Sequence, residues 1–283
     1  MLPTVNFLGE EVSRLTMGDN PTNGYSYIPD LTSREEMLSY YTEEKVIEQL
    51  FEAERLGYTV WQPLASEFIL RVLWHYREQG GRLKLIFQTH VPVDFEVNLR
   101  QILTYKPVAC YHQGTSADGM FEEGKKDILR DRIKLMQSMG LKSGFATHVP
   151  EHIMIAEDEG WGCDFYMACL QNTRKRGGER STSVTGKTRK DVEFYPEDRP
   201  IMLKTIAQVP TPCIAYKVLA GGQIFLGKEK SEYPALIEAA YRETFAAIKP
   251  CDLVTVGVFQ KHGNQLRENA EIVSRVLSSL NTK

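Results

Sequence analysis

The chain lacks any run of about 18 consecutive apolar residues, the length a membrane-spanning helix requires. Its opening residues, Met1 to Glu10, also lack the basic-then-apolar plan of a signal peptide. Membrane insertion and secretion are disfavoured on these grounds, and a cytoplasmic location is expected. Charge of either sign is not in excess: 34 lysines and arginines face 37 aspartates and glutamates, for a net charge of −3. No basic field recommends nucleic acid or an anionic membrane as partner, so a small-molecule substrate is expected. The oligomeric state leaves no trace in the sequence. Cysteine is scarce and odd in number. Cys110, Cys163, Cys169, Cys213 and Cys251 contain no C-x-x-C pair and cannot complete a disulfide framework, so they read as small buried hydrophobes. No shift in composition divides the chain into parts.

What is present is a regular alternation. Apolar runs suited to buried strands lie at Ser13–Gly18, Tyr58–Gln62, Leu83–Thr89, Pro107–Tyr111, Lys142–Thr147, Cys163–Cys169, Thr211–Lys217 and Asp252–Val258. Between and after them, apolar residues recur at helical spacing over Glu43–Leu56, Ser66–Glu78, Phe95–Tyr105, Lys125–Met139, Pro150–Glu159, Pro200–Gln208, Tyr233–Ile248 and Asn264–Leu280. Gly80-Gly81, Gly140 and Gly160 supply helix stops. Eight strand-then-helix units within 283 residues predict an α/β fold, a single-domain (β/α)8 TIM barrel. Two connections exceed what a barrel needs, at about 19–41 and 172–198, and both follow strands, which puts them on the C-terminal face. The second carries Arg174, Lys175, Arg176, Arg180, Lys187, Arg189 and Lys190 and is expected either to cross the mouth as a lid or to be a solvated, disordered excursion.

Histidine is the scarce residue that is not scattered. Thr-His-Val-Pro closes two predicted strands, at Thr89–Pro92 and Thr147–Pro150, and His112 closes a third. Three of six histidines thus stand where a parallel barrel carries chemistry, which points to an enzyme. Both prolines suit the first position of a helix. Asp19, Gln62 and Lys217 are further polar groups at strand ends.

Three segments resemble the aldo/keto reductases. Gly9-Glu10-Glu11-Val12-Ser13-Arg14-Leu15-Thr16-Met17-Gly18 is similar to the family's opening G-x-x-V-S-x-L-x-x-G. Ala215-Tyr216-Lys217-Val218-Leu219-Ala220-Gly221-Gly222 is similar to its A-Y-x-x-L-x-x-G, and Gln265-Leu266-Arg267-Glu268-Asn269 to its Q-L-x-E-N. The resemblance implies a barrel with a nicotinamide cofactor, NAD(P), across its C-terminal face, Tyr216 stacking on the nicotinamide and Glu268 and Asn269 touching the adenine. It also implies where the family's Asp, Tyr, Lys, His tetrad should fall. Gln62 stands in place of the Asp, Glu67 of the Tyr and His90 of the Lys; only His112 matches. Ala146-Thr147-His148 and Met167 replace further nicotinamide contacts, and Phe259 and Gln265, with Lys261 nearby, stand at the 2′-phosphate positions.

The substituted residues suggest a different chemistry. Placed by the resemblance, His90, His112 and either Glu67 or His148 form a ligand set for Zn, Fe, Mn or Ni, with Glu67 the general acid/base where it is not a ligand. The leading expectation is a metal-dependent enzyme acting on a small polar substrate, carbonyl or sugar-like, by hydrolysis, lyase or proton-transfer chemistry. Glu67, His112, Gln62 and Lys217 are its candidate catalytic residues. An NAD(P)-dependent oxidoreductase with an altered proton donor and a catalytically inactive ligand-binding barrel are the alternatives.

Overall fold

The computed structural model describes residues 2–28, 31–171 and 198–281. It opens with two short strands, β1 (Thr4–Phe7) and β2 (Glu10–Ser13), paired antiparallel. The turn between them takes left-handed backbone at Leu8 and Gly9. Eight parallel strands follow: β3 (Leu15–Gly18), β4 (Val60–Gln62), β5 (Lys84–Gln88), β6 (Ala109–His112), β7 (Ser143–Thr147), β8 (Phe165–Cys169), β9 (Cys213–Tyr216) and β10 (Leu253–Gly257). They close into a barrel in sequence order, with β10 pairing back onto β3.

Each strand coincides with one of the eight apolar runs, trimmed at its ends except for β6, which extends one residue further to His112. The helices match as closely: α2 (Glu43–Arg55), α3 (Glu67–Glu78), α4 (Phe95–Leu103), α6 (Lys126–Ser138), α7 (Pro150–Asp158), α8 (Asp198–Gln208), α9 (Tyr233–Ala247) and α10 (Gln265–Asn281). Side-chain hydroxyls and carboxylates start several of them, as where Ser66 accepts from the Ile69 N–H at the head of α3. Two further helices lie where none was expected, α1 (Arg34–Tyr40) and α5 (Gly114–Glu122). The 19–41 connection is therefore largely structured, with a 3-10 turn at Asn20–Asn23 before α1. The basic loop at 172–198 falls outside the described residues, apart from Asp198 at the start of α8, and so does the expectation of a lid there.

The period-two alternation of a strand decides which side chains enter the barrel. Val60, Ile86, Ala109, Tyr111, Ala146, Phe165, Met167, Ile214 and Leu253 fill its interior. Their neighbours, such as Trp61, Phe87, Cys110, Phe145 and Tyr166, point outward into the larger layer between strands and helices. Phe7 and Val12 of the hairpin join the interior set, Phe7 meeting Phe165 edge-on at 5.9 Å. The hairpin thus packs against the end of the barrel where the strands begin, and the opposite end is left for chemistry. Among the described residues, no helix is long and apolar enough to cross a membrane.

Candidate active site

At the C-terminal end of the barrel the side chains of Thr147 in β7, His148 just after it and His152 in α7 converge on one buried carboxylate, Asp118 of α5. Helix α5 can lie this close because it starts at Gly114. A Cβ there would come within 3.1 Å of the Ala146 methyl and 3.3 Å of the Tyr216 hydroxyl. Asp118 Oδ2 accepts from His148 Nδ1 at 2.7 Å and from the His148 backbone N–H at 3.2 Å. Its Oδ1 accepts from Thr147 Oγ1 at 2.5 Å and from His152 Nδ1 at 3.0 Å. Burial, the largest single influence, favours the protonated acid, but the hydrogen bonds from His148 and His152 outweigh it and hold Asp118 well below the usual carboxylate range. His152, one helical turn after His148, is itself held flat against Phe121, with ring centroids 3.9 Å apart.

This arrangement assigns the tautomer of His148. A carboxylate only accepts, so Nδ1 carries the hydrogen and Nε2 is left with its lone pair. Lys217 Nζ donates to that Nε2 at 2.9 Å, and the Tyr216 hydroxyl lies 3.4 Å from it and 3.3 Å from the Thr147 carbonyl. Burial, with Cys169 and Asp118 nearby, raises Tyr216 well above the ordinary phenol range, so it is a neutral hydroxyl. Lys217 takes left-handed backbone, φ 58°, a conformation that costs a residue with a Cβ about 1–2 kcal/mol. Its ammonium lies 4.6 Å from the centre of the Tyr27 ring and 5.6 Å from that of Tyr216. The turn that follows wraps the Tyr27 segment closely. Gly221 and Gly222 are left-handed, and a Cβ on either would come within 2.8 Å of Tyr27 or Ile28.

The expected metal cluster is not assembled. Among the described residues, no group of three His, Cys, Asp or Glu side chains could hold a metal ion. Strand alternation gives the reason for His112: Ala109 and Tyr111 face the barrel interior, so His112 faces out. Its Nε2 lies 3.0 Å from the Arg132 guanidinium and its ring 5.7 Å from Phe95. Burial and the Arg132 charge push it down to about 3, leaving it a neutral packing residue. Glu67 is exposed in the first turn of α3, where it suits the helix dipole, and it does not reach the imidazoles. His90 is partly buried, gives its backbone N–H to Asn98 Oδ1 at 2.8 Å, and keeps a buried Nδ1 without a partner among the described residues. Gln62 lies inside the barrel, its Nε2 on Thr16 Oγ1 at 2.8 Å. Of the predicted site residues, the structure brings together His148, Tyr216 and Lys217. The carboxylate that joins them, Asp118, was not among those predicted.

The residues present do not fit the nicotinamide cofactor that the resemblance implies. Asn269 is buried and spent internally, accepting from the Tyr241 hydroxyl and donating to the Gln265 carbonyl, both at 2.6 Å. Gln265 Oε1 accepts from the Phe259 N–H at 2.8 Å, and Lys261 is paired with Glu36. Glu268 lines a surface groove with Asn264, Arg267 and Arg275. The Lys217 ammonium lies over the Tyr216 ring that would stack on the nicotinamide.

No family model matches the chain, and no curated protein matches it by sequence. Solved structures do match. A protein described as the "putative aldo-keto reductase" from Pseudomonas aeruginosa aligns over 97% of this chain and 95% of its own, at 14% identity and a TM-score of 0.62. A Gox0644 variant in complex with NADPH aligns over 100% and 93%, at 10% identity and a TM-score of 0.54. A 3-dehydroquinate dehydratase from Geobacillus kaustophilus aligns over 99% and 97%, at 12% identity and 0.51. These neighbours share the fold across nearly their whole length, and the chain is, in fold, a (β/α)8 barrel like theirs.

Proposed function

We propose that the protein is an enzyme that moves a proton at the carbon next to the carbonyl of a small polar substrate, with His148 as the base. The observation that carries this is the chain of contacts Asp118 to His148 at 2.7 Å and His148 to Lys217 at 2.9 Å. Asp118 orients the imidazole and stabilises the imidazolium formed when Nε2 takes a proton, the role a carboxylate plays behind any catalytic histidine. When a substrate displaces Lys217 from Nε2, the ammonium is left beside the position where the carbonyl oxygen gains charge, and the neutral Tyr216 hydroxyl can donate to the same oxygen. The C–H bond breaks towards Nε2, its electron pair moves into the enolate, and return of the proton to another carbon, or loss of a leaving group, completes an isomerisation or an elimination.

Solvent exchange tests it. In D2O, a series of short hydroxy-ketones incubated with the full chain should lose the proton on the carbon beside the carbonyl faster than in buffer. His148→Gln and Lys217→Met should each reduce that rate to near the buffer level. Absence of enzyme-dependent exchange across the series contradicts the reading.

A second reading, an NAD(P)-dependent oxidoreductase, draws on the NADPH bound to the Gox0644 variant of similar fold. The internal engagement of Asn269 and Gln265 argues against it here. Titration with NADPH, followed by nucleotide fluorescence, is expected to show no saturable binding up to about millimolar concentration, where binding energies fall to about −4 kcal/mol.

A further inference from the structure

Facing the Asp118 network, the wall of the mouth built by β3 to β6 carries polar groups that the proposed proton transfer does not use: Thr16, Asp19, Gln62, Gln88 and Tyr111. Gln62 is the informative one. It shares the interior face of β4 with Val60 and is 2% exposed. Its Nε2 donates to Thr16 Oγ1 at 2.8 Å, and Thr16 Oγ1 donates to the Val254 carbonyl at 3.2 Å. A hydroxyl has one hydrogen, so Thr16 can only accept from Gln62, and this sets the amide's orientation. The consequence is that Gln62 Oε1 is a buried acceptor with no partner among the described residues. Such an orphan costs about 1–3 kcal/mol, and its presence calls for a reason.

Asp19 stands at the end of the neighbouring strand, 7% exposed. It accepts from the Leu64 N–H at 2.5 Å and from Asn23 Nδ2 at 2.9 Å, both on Oδ2. Burial pushes its carboxyl up to about 7, against the pull of those two bonds, so near neutrality it is a donor as well as an acceptor. Tyr111, close enough to feel the Asp19 charge, reaches Gln88 Oε1 at 3.4 Å. None of these five side chains is basic, which removes phosphate and carboxylate groups as their natural complement. A neutral hydroxyl, donor and acceptor at once, satisfies them.

We propose that this wall is a hydroxyl-recognition subsite, in which Gln62 Oε1 accepts from a substrate hydroxyl while Asp19 and Tyr111 engage its neighbour, so that the substrate is an uncharged polyhydroxylated compound. The proposal deepens the proton-transfer reading by naming what holds the substrate away from the reacting carbon, and it rests on that reading only for the position of that carbon.

The test uses xylitol as a neutral polyol with no carbonyl, and ligand-observed NMR on the full chain. Xylitol should bind the wild type. Gln62→Leu should weaken it about tenfold, the equivalent of one hydrogen bond, and Gln62→Glu, which keeps an acceptor at that position, should stay within about threefold of wild type. Should Gln62→Leu fail to fold, Thr16→Val serves, because it frees the amide to rotate and should weaken binding about threefold. Equal binding by wild type and both variants, as a buried water on Oε1 would give, or no binding by the wild type, overturns the subsite. Deuterium exchange separates the two claims. Exchange without Gln62-dependent xylitol binding removes the subsite alone, and Gln62-dependent binding without exchange removes the proton-transfer reading alone.

Discussion

The tetrapeptide Thr-His-Val-Pro closes both β5 and β7, and in both copies the histidine backbone N–H is held by a helix side chain, from α4 after β5 in one and from α5 before β7 in the other. At His90 the acceptor is Asn98 Oδ1, at His148 it is Asp118 Oδ2. The difference is one of charge. Asn98 is neutral and its Nδ2 turns to the Ala65 carbonyl, so it fastens backbone to backbone. Asp118 has a full charge to share, and the surplus goes to the imidazole rings of His148 and His152. The prolines diverge too: Pro150 begins α7, whereas Pro92 lies in the turn that joins the His90 carbonyl to the Val93 N–H, three residues before α4. Identical strings therefore close one strand with a packing element and another with a candidate base, because the residue that receives them differs.

The largest expected effect breaks that symmetry directly. His148→Gln should lower the exchange rate by about 10²–10⁴, the range for losing a general base, while His90→Gln leaves it within about threefold. Comparable losses in both would mean that the two copies act as one site. Asp118→Asn should also lose about 10²-fold or more, since an amide can present a donor to His148 Nδ1 and reverse its tautomer.

The pH dependence of stability separates the two walls of the mouth. Asp19 is raised from 3.8 to about 7 in the folded state, so the native protein holds a proton that the unfolded chain releases. Between these values stability falls as pH rises, by up to a few kcal/mol. Asp19→Asn should remove that loss, so its melting temperature should gain on wild type from pH 4 to 7 and run parallel above. On the first copy, Asn98→Ala should cost about 1–3 kcal/mol by leaving the His90 N–H and Ala65 carbonyl unpaired. Urea unfolding measures this, and exchange should be unchanged.

The smallest effect concerns His112. Its folded value near 3 lies below the ordinary 6.5, so its contribution is complete above 6.5 and is lost as pH falls through the folded value. At pH 5, His112→Gln should therefore recover about 1–2 kcal/mol relative to its cost at pH 7.5, read from urea midpoints at both. No metal should leave with it.

The barrel was legible because each strand is a short apolar run and each helix repeats its apolar residues at the right period, and eight such pairs admit few other folds. The β1–β2 hairpin was not, since Val5, Phe7 and Val12 are too few to stand out from a tail. The site was legible only as a set of positions. Gly114–Glu122 contains Asp118-Gly119, which reads as a turn, and nothing local shows that its aspartate is buried against two histidines. His112 and His148 look alike as strand ends. They part because strand ends alternate in direction, and a shift of one residue in where the strand stops turns a site residue into a packing one.

The most direct measurement is the protonation of the histidine rings by long-range ¹H–¹⁵N NMR at neutral pH, with His148→Gln identifying the signal. His148 should carry its hydrogen on Nδ1, donated to Asp118, with Nε2 unprotonated, and Asp118→Asn should shift this balance. A His148 protonated on Nε2 in the wild type would contradict it, because the ring would then have no lone pair facing the mouth.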